Sequence, residues 1–255
     1  MHFSRIASTL LLAAGAAAHS TMSLGAVGPN NAVLFLNGFH FISGNEGKQL
    51  QADHYCALIS NDFIQCTIYE PGANPEKLMG VEYIISGDRF AKLPDEEKQL
   101  WHSHQYEVKS GLLTQPGLPP MIDHPIMEIL VNTYGKTFHT WPSSSMKNDI
   151  PIGIPELIFG YTGVTNPDDD FVKSRDEFYG TNTTLIKEQR EDIVDPPVIP
   201  GADSWKYGYS LQLALSNTTK PNADAAACDK EEGEKEKRDC VNGFMRVDKR
   251  GVSHC

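Results

Sequence analysis

Residues 50–70 read LQADHYCALISNDFIQCTIYE. Ser60-Asn61-Asp62 is turn chemistry between two runs rich in Tyr, Ile, Phe and Thr, whose branched or aromatic side chains suit a pleated sheet. The segment is therefore a hairpin. With a three-residue loop Ile59 faces Phe63, and the same register puts Cys56 directly opposite Cys66, each three residues further out. These cysteines form either a cross-strand disulfide or a pair of buried thiols. His54 lies on the same strand face as Cys56, because strand side chains alternate.

Other elements read around this hairpin. AVLFLNGFHFIS at 32–43 is a buried strand, or a short helix running into one. VEYIIS at 81–86 is a strand. Leu93-Pro94-Asp95-Glu96-Glu97 opens a helix, since proline suits a first turn and acids suit the positive end of the dipole. MIDHPIMEILVNTY at 121–134 is helical, with Ile126, Ile129 and Leu130 at helical spacing. KTFHTW at 136–141 alternates like a strand and carries His139. From Thr165 the chain turns polar and proline-rich, a composition that packs poorly. The expected fold is a single α+β domain at 30–215, with a mixed or antiparallel sheet and two or three helices. A disordered, acidic, cysteine-bearing tail is expected at 220–255.

The N-terminus, MHFSRIASTLLLAAGAAAHS, reads as a secretory signal over residues 1–20. Its apolar run is too short to span a bilayer, and cleavage fits after Ala18 or after Ser20. Cleavage after Ala18 would leave His19 as an N-terminal copper chelator. No other apolar run approaches the length of a transmembrane span. Asn182-Thr183-Thr184 and Asn217-Thr218-Thr219 are N-glycosylation acceptors, used only in the secretory pathway. In an oxidising compartment Cys228 and Cys240 are the natural local pair, with Cys255 left over; pairing of Cys255 with either is the competing connectivity. The formal charge is −11 without a basic block, which disfavours nucleic acid and anionic membrane surfaces as partners.

His102 and His104, in LWHSHQYEVKSGLL, pose the main chemical question. On a continuous helix they would point about 200° apart and could not share an ion. On a strand, His102, His104, Tyr106 and Val108 share one face. Val108-Lys109 running into Gly111-Leu112-Leu113 favours the strand, which places Glu107 on the opposite face.

Several segments occur in an order and spacing that resemble a known family. They are NGFHF at 37–41, ADHYC at 52–56, QCTIYE at 65–70, GVEYIIS at 80–86, WHSHQYEVKSGLL at 101–113, TYGKTFHTW at 133–141 and PIGIPELIF at 151–159. They resemble the oil-body-associated protein family, a domain of unknown function in plants, fungi and bacteria, here as a secreted, fungal-like member. The plant members lie on seed oil bodies. The resemblance carries over no catalytic residue, but it picks out His40, His54, Cys56, Cys66, Glu82, His102, His104, Glu107 and His139. The leader, the glycosylation acceptors and the acidic tail depart from the plant pattern.

Imidazoles and carboxylates are favoured metal ligands, and His-x-His on a strand is a workable two-ligand unit. With His54 or Glu82 as further ligand, His102 and His104 would hold a divalent ion such as zinc or copper. An open position on that ion could support hydrolysis. The competing reading is that these histidines are packed, hydrogen-bonded core residues. No G-x-S-x-G, H-E-x-x-H or phosphate-binding glycine loop occurs. The leading expectation is a secreted, non-enzymatic protein that associates with lipid or a hydrophobic ligand. The alternatives are a metal-binding protein or metal-dependent hydrolase, and a purely structural secreted protein.

Overall fold

The computed structural model describes residues 32–217, together with the backbone of two short strands near the C-terminus. The leader, Cys228, Cys240, Cys255 and the second acceptor's Thr218 and Thr219 lie outside the described residues. The chain divides into two units, residues 1–214 and 215–255.

The described residues of the first unit form seven strands: β1 (Ala32–Ile42), β2 (Asn45–Ser60), β3 (Phe63–Tyr69), β4 (Leu78–Ser86), β5 (His102–Ser103), β6 (Thr133–His139) and β7 (Glu156–Gly160). Every pairing is antiparallel. β1 pairs with β2, β2 with β3, β3 with β4, β4 with β6, β6 with β7, and β7 returns to β1. Six strands thus close into a barrel, and β5 adds two residues beside β6. This corrects the expected α+β sheet-and-helix fold. Closure depends on β4 meeting β6, so that the first four strands and the last two share one ring. In the second unit β8 (Arg246–Val247) pairs with β9 (Ser253–His254).

Among the described residues the helices are short: α1 (Gly87–Phe90), α2 (Asp95–Lys98), α3 (Gln105–Ser110), α4 (Pro120–Leu130), α5 (Asp169–Tyr179) and α6 (Thr183–Gln189), with 3-10 turns at Ser143–Ser145 and Ser204–Tyr207. Among the described residues no helix is long and apolar enough to cross a membrane.

Alternation along the strands sorts the side chains. Leu34, Leu36, Cys56, Ile64, Cys66 and Ile84 face one way and pack with Ile126, Met127 and Leu130 of α4. The other face of β1 and β7 presents Phe39, Phe41, Leu157 and Phe159, which pack with Tyr161, Trp205 and, from α5, Phe171 and Val172. β1 is buried on both faces, so its sequence is apolar almost throughout. The polar segment after Thr165 packs because Arg175 and Arg190 bring hydrogen-bonding forks inward. Arg175 Nη1 donates to Leu112 O at 3.0 Å and Asn37 Oδ1 at 3.1 Å, and Arg190 Nη1 donates to Leu113 O at 2.8 Å.

The hairpin turn is tighter than the expected three-residue loop. Ser60 pairs with Phe63 across Asn61-Asp62, and a register shift between Leu58 and Ser60 absorbs the extra residue. The two changes cancel, so Cys56 still pairs with Cys66. The cysteines are joined as a disulfide, with Cα atoms 4.0 Å apart.

Candidate metal centre

Five histidines and two glutamates converge inside the barrel. β1 supplies His40, β2 supplies His54, β4 supplies Glu82 and β6 supplies His139. All are buried, with His102 and His139 at 0 % exposure. Glu82 sits between Cys66 on β3 and Thr137 on β6 in the strand register.

His102 and His104 arrive on neither a continuous strand nor a continuous helix. β5 ends at Ser103, and His104 turns into α3 with φ −84° and ψ −1°. Asp203 holds the break: its carboxylate accepts from Ser103 N and Ser103 Oγ, both at 2.8 Å. The expected strand through Val108 is therefore corrected. One consequence is that both imidazoles reach the same carboxylate oxygen. His104 Nε2 lies 3.1 Å and His102 Nε2 3.5 Å from Glu82 Oε1. The other consequence is that α3 turns Glu107 inward, contrary to the strand expectation, with Oε2 3.9 Å from His102 Nε2.

His54 Nε2 approaches the second oxygen of Glu82, Oε2, at 2.9 Å. His40 Nδ1 and His139 Nε2 are 3.4 Å apart. The four residues expected as ligands, His54, Glu82, His102 and His104, thus meet around one carboxylate, and His40, His139 and Glu107 adjoin them.

Glycines make the room. A Cβ on Gly135 would overlap Glu82 Oε1 and come within 2.8 Å of both His102 Cε1 and His104 Nε2. A Cβ on Gly160 would overlap the Glu107 carboxylate. His40, His54, Glu82, His104 and Glu107 line an internal cavity of about 10 Å³ together with Leu36, Ile84, Leu113 and Leu130. That is space for a single water or ion.

Three of the five imidazoles are held neutral by burial beside one anionic carboxylate. Burial lowers His102 and His139 to about 3, and burial with neighbouring His54 lowers His40. Burial acts to raise Glu82, but the imidazoles of His104 and His54 outweigh it and hold the carboxylate well below its ordinary range. Burial, with Glu82 and Asp203 nearby, raises Glu107 well above that range. His102 Nδ1, His102 Nε2, His54 Nδ1, His139 Nδ1 and Glu107 Oε2 are buried without a hydrogen-bond partner among the described residues. Each such group costs about 1–3 kcal/mol if left unsatisfied.

Thr133, Asp203 and the glycines were not read as parts of the site. Each acts through a contact made only in the folded chain, and no spacing marks it.

A family model described as "Protein of unknown function (DUF1264)" matches residues 28–194. The chain is 34% identical to Oil body-associated protein 1B of Arabidopsis thaliana over 181 residues, 70% of this chain and 74% of that protein. It is 36% identical to Oil body-associated protein 1A of Zea mays, over 70% of this chain and 75% of that protein. It is 35% identical to Oil body-associated protein 2C of Arabidopsis thaliana, over 70% of this chain and 76% of that protein. No solved structure matches the chain. The chain belongs to the DUF1264 family, the family of the oil body-associated proteins.

Proposed function

We propose that this protein is a metalloprotein whose barrel interior binds a first-row transition metal through Glu82 Oε1, His102 Nε2 and His104 Nε2. One observation carries the reading. Thr133 Oγ1 donates its single proton to Leu130 O at 2.7 Å and therefore accepts from His104 Nδ1, 2.8 Å away. That hydrogen bond places a proton on Nδ1 and turns Nε2 towards Glu82. Nε2 lies 3.1 Å from Glu82 Oε1, the position in which a metal can replace the proton of a hydrogen bond between them. A cation, either a second ring proton or a metal ion, lies between the two atoms. A ligating histidine typically donates its other ring nitrogen to an oxygen in this way.

Distance and donor type agree. Ligands about 2.0–2.1 Å from a tetrahedral ion are about 3.4 Å from one another. Here the separations from Glu82 Oε1 are 3.1 and 3.5 Å. Imidazole-rich donors suit zinc, copper, iron or nickel, whereas calcium prefers a shell of oxygens.

The test is the metal content of the purified full-length chain, prepared without chelator, beside the His102→Ala/His104→Ala variant. Near-stoichiometric metal in the parent is expected, lost in a variant that keeps its circular dichroism and cooperative melting. A parent that holds no metal and takes up neither zinc nor copper overturns the reading.

The relatives' name brings lipid bodies to this chain as a second reading. The interior cavity of about 10 Å³ is far below the roughly 300 Å³ of a small-molecule site. Contact with lipid would therefore use the outer surface, and flotation of the protein with triacylglycerol droplets tests it. Secretion and glycosylation are supported by the leader-like N-terminus and by Asn182, which is exposed at the start of α6. A mass shift on treatment with a peptide N-glycosidase checks them.

A further inference from the structure

We propose that the barrel holds two metal ions rather than one, bridged by the two oxygens of Glu82. This rests on the metalloprotein reading and extends it with a second site of His40, His54 and Glu82 Oε2.

The ligand atoms fall into two triads that share only Glu82. His102 and His104 form one with it, and His40 and His54 form the other; within each triad one donor atom per residue lies within 4.8 Å of the others. The triads take opposite oxygens. His102 and His104 approach Oε1, whereas His54 Nε2 lies 2.9 Å from Oε2. Despite that distance, His54 Nε2 lacks hydrogen-bond geometry and counts among the unpartnered buried atoms. The contact at Oε2 is thus a second close approach of an imidazole nitrogen to the Glu82 carboxylate, on the oxygen opposite the first.

His40 completes this triad. Its ring centroid is 5.0 Å from that of His54. Its Nδ1 lies 3.4 Å from His139 Nε2, a contact that orients the ring. Charge points the same way. Within ion-pair distance the only partners of Glu82 among the described residues are histidines. The interior also holds more imidazoles than the roughly four ligands of one tetrahedral ion.

The cavity lies where a bridged pair needs space. His40 and His54 of one triad and His104 of the other line it, with Glu82. Two-metal sites hold their ions about 3.5–4 Å apart, where one small ligand can touch both. A cavity of about 10 Å³ admits water, hydroxide or a small anion at that position. The ligand class is therefore a pair of divalent first-row ions with an exchangeable water-sized bridge.

The experiment titrates metal-depleted full-length protein with cobalt(II), following visible absorbance and electron paramagnetic resonance. The absorbance is expected to rise until about two equivalents are bound. The second equivalent should reduce the signal per cobalt, because bridged ions couple magnetically. His40→Ala should stop at about one equivalent with the uncoupled signal. If His40→Ala does not fold, His40→Gln replaces it, and coupling in the parent decides the question alone. Saturation at one equivalent in the parent overturns the two-ion centre and leaves the one-ion reading standing. Two uncoupled ions, or two equivalents in a folded His40 variant, also overturn it. Uptake of no cobalt, zinc or copper removes both readings together.

Discussion

The hydroxyl of Thr133 lies 2.8 Å from Nδ1 of His104 and gives its own proton to Leu130 O. A residue at the junction of α4 and β6 thereby sets which nitrogen of His104 is free to bind. Thr133→Val keeps the shape and removes the acceptor. Metal affinity should fall about 10- to 100-fold, the usual cost of losing such a partner. Thr133→Ser should restore most of it. Competition with a chromogenic chelator measures both, and an unchanged affinity in Thr133→Val would remove the argument from this hydrogen bond.

Cys66 and Glu82 are direct neighbours across β3 and β4, so the disulfide buttresses the strand that carries the carboxylate. It closes a loop with a sequence separation of 10. On the chain-entropy account a loop of this size is worth about 2–3 kcal/mol. Cys56→Ala/Cys66→Ala should be destabilised by about that amount in urea unfolding. Reductant should produce a similar loss in the parent and none in the variant.

What could be read from sequence was local. The hairpin, the Cys56–Cys66 register and the shared face of His54 follow from alternation and one turn. They survived a wrong loop length because the bulge near Ile59 compensated for the shorter turn. The barrel did not follow, because closure joins Gly80 to His139 and Ser86 to Thr133, and no local pattern encodes that pairing. His102 and His104 were recognised as a pair, but continuous strand and continuous helix were both wrong for them. The break between them depends on Asp203, 100 residues away in sequence. Glu107 was misplaced for the same reason. The segment after Thr165 looked too polar to pack, since composition does not show that Arg175 would find carbonyl acceptors at Gly111 and Leu112.

Gly135 offers a steric test that leaves every proposed ligand in place. Gly135→Ala would drive a methyl group into Glu82 and against His102 and His104. Overpacking of this kind costs about 1–3 kcal/mol in stability. The effect on metal should be larger in proportion, because His102 and His104 must move off Glu82 Oε1 to admit the methyl. A folded Gly135→Ala protein is expected to take up little or no metal in equilibrium dialysis. Full uptake would place the ion elsewhere.

Asp176 provides the pH test, away from the histidine cluster. Burial acts to raise its carboxyl, but the Thr183 backbone and hydroxyl, the Thr181 hydroxyl and Arg175 hold it below the ordinary range. Its oxygens accept from Arg175 Nε at 2.9 Å, Thr183 N at 2.7 Å and Thr181 Oγ1 at 2.8 Å, tying α5 to α6. A carboxyl whose folded pKa is depressed stabilises the fold above its unfolded pKa, and that contribution fades as pH falls towards the folded value. The contribution of Asp176 should therefore be complete at neutral pH and decline below about pH 4. Asp176→Ala also removes the only ion-pair partner of the buried Arg175 among the described residues, at a cost of about 3 kcal/mol. Thermal melts from pH 7 down to about pH 3 should show parent and variant far apart at neutrality and converging in acid. A gap that stayed constant across that range would mean that Asp176 acts through packing and not through its charge.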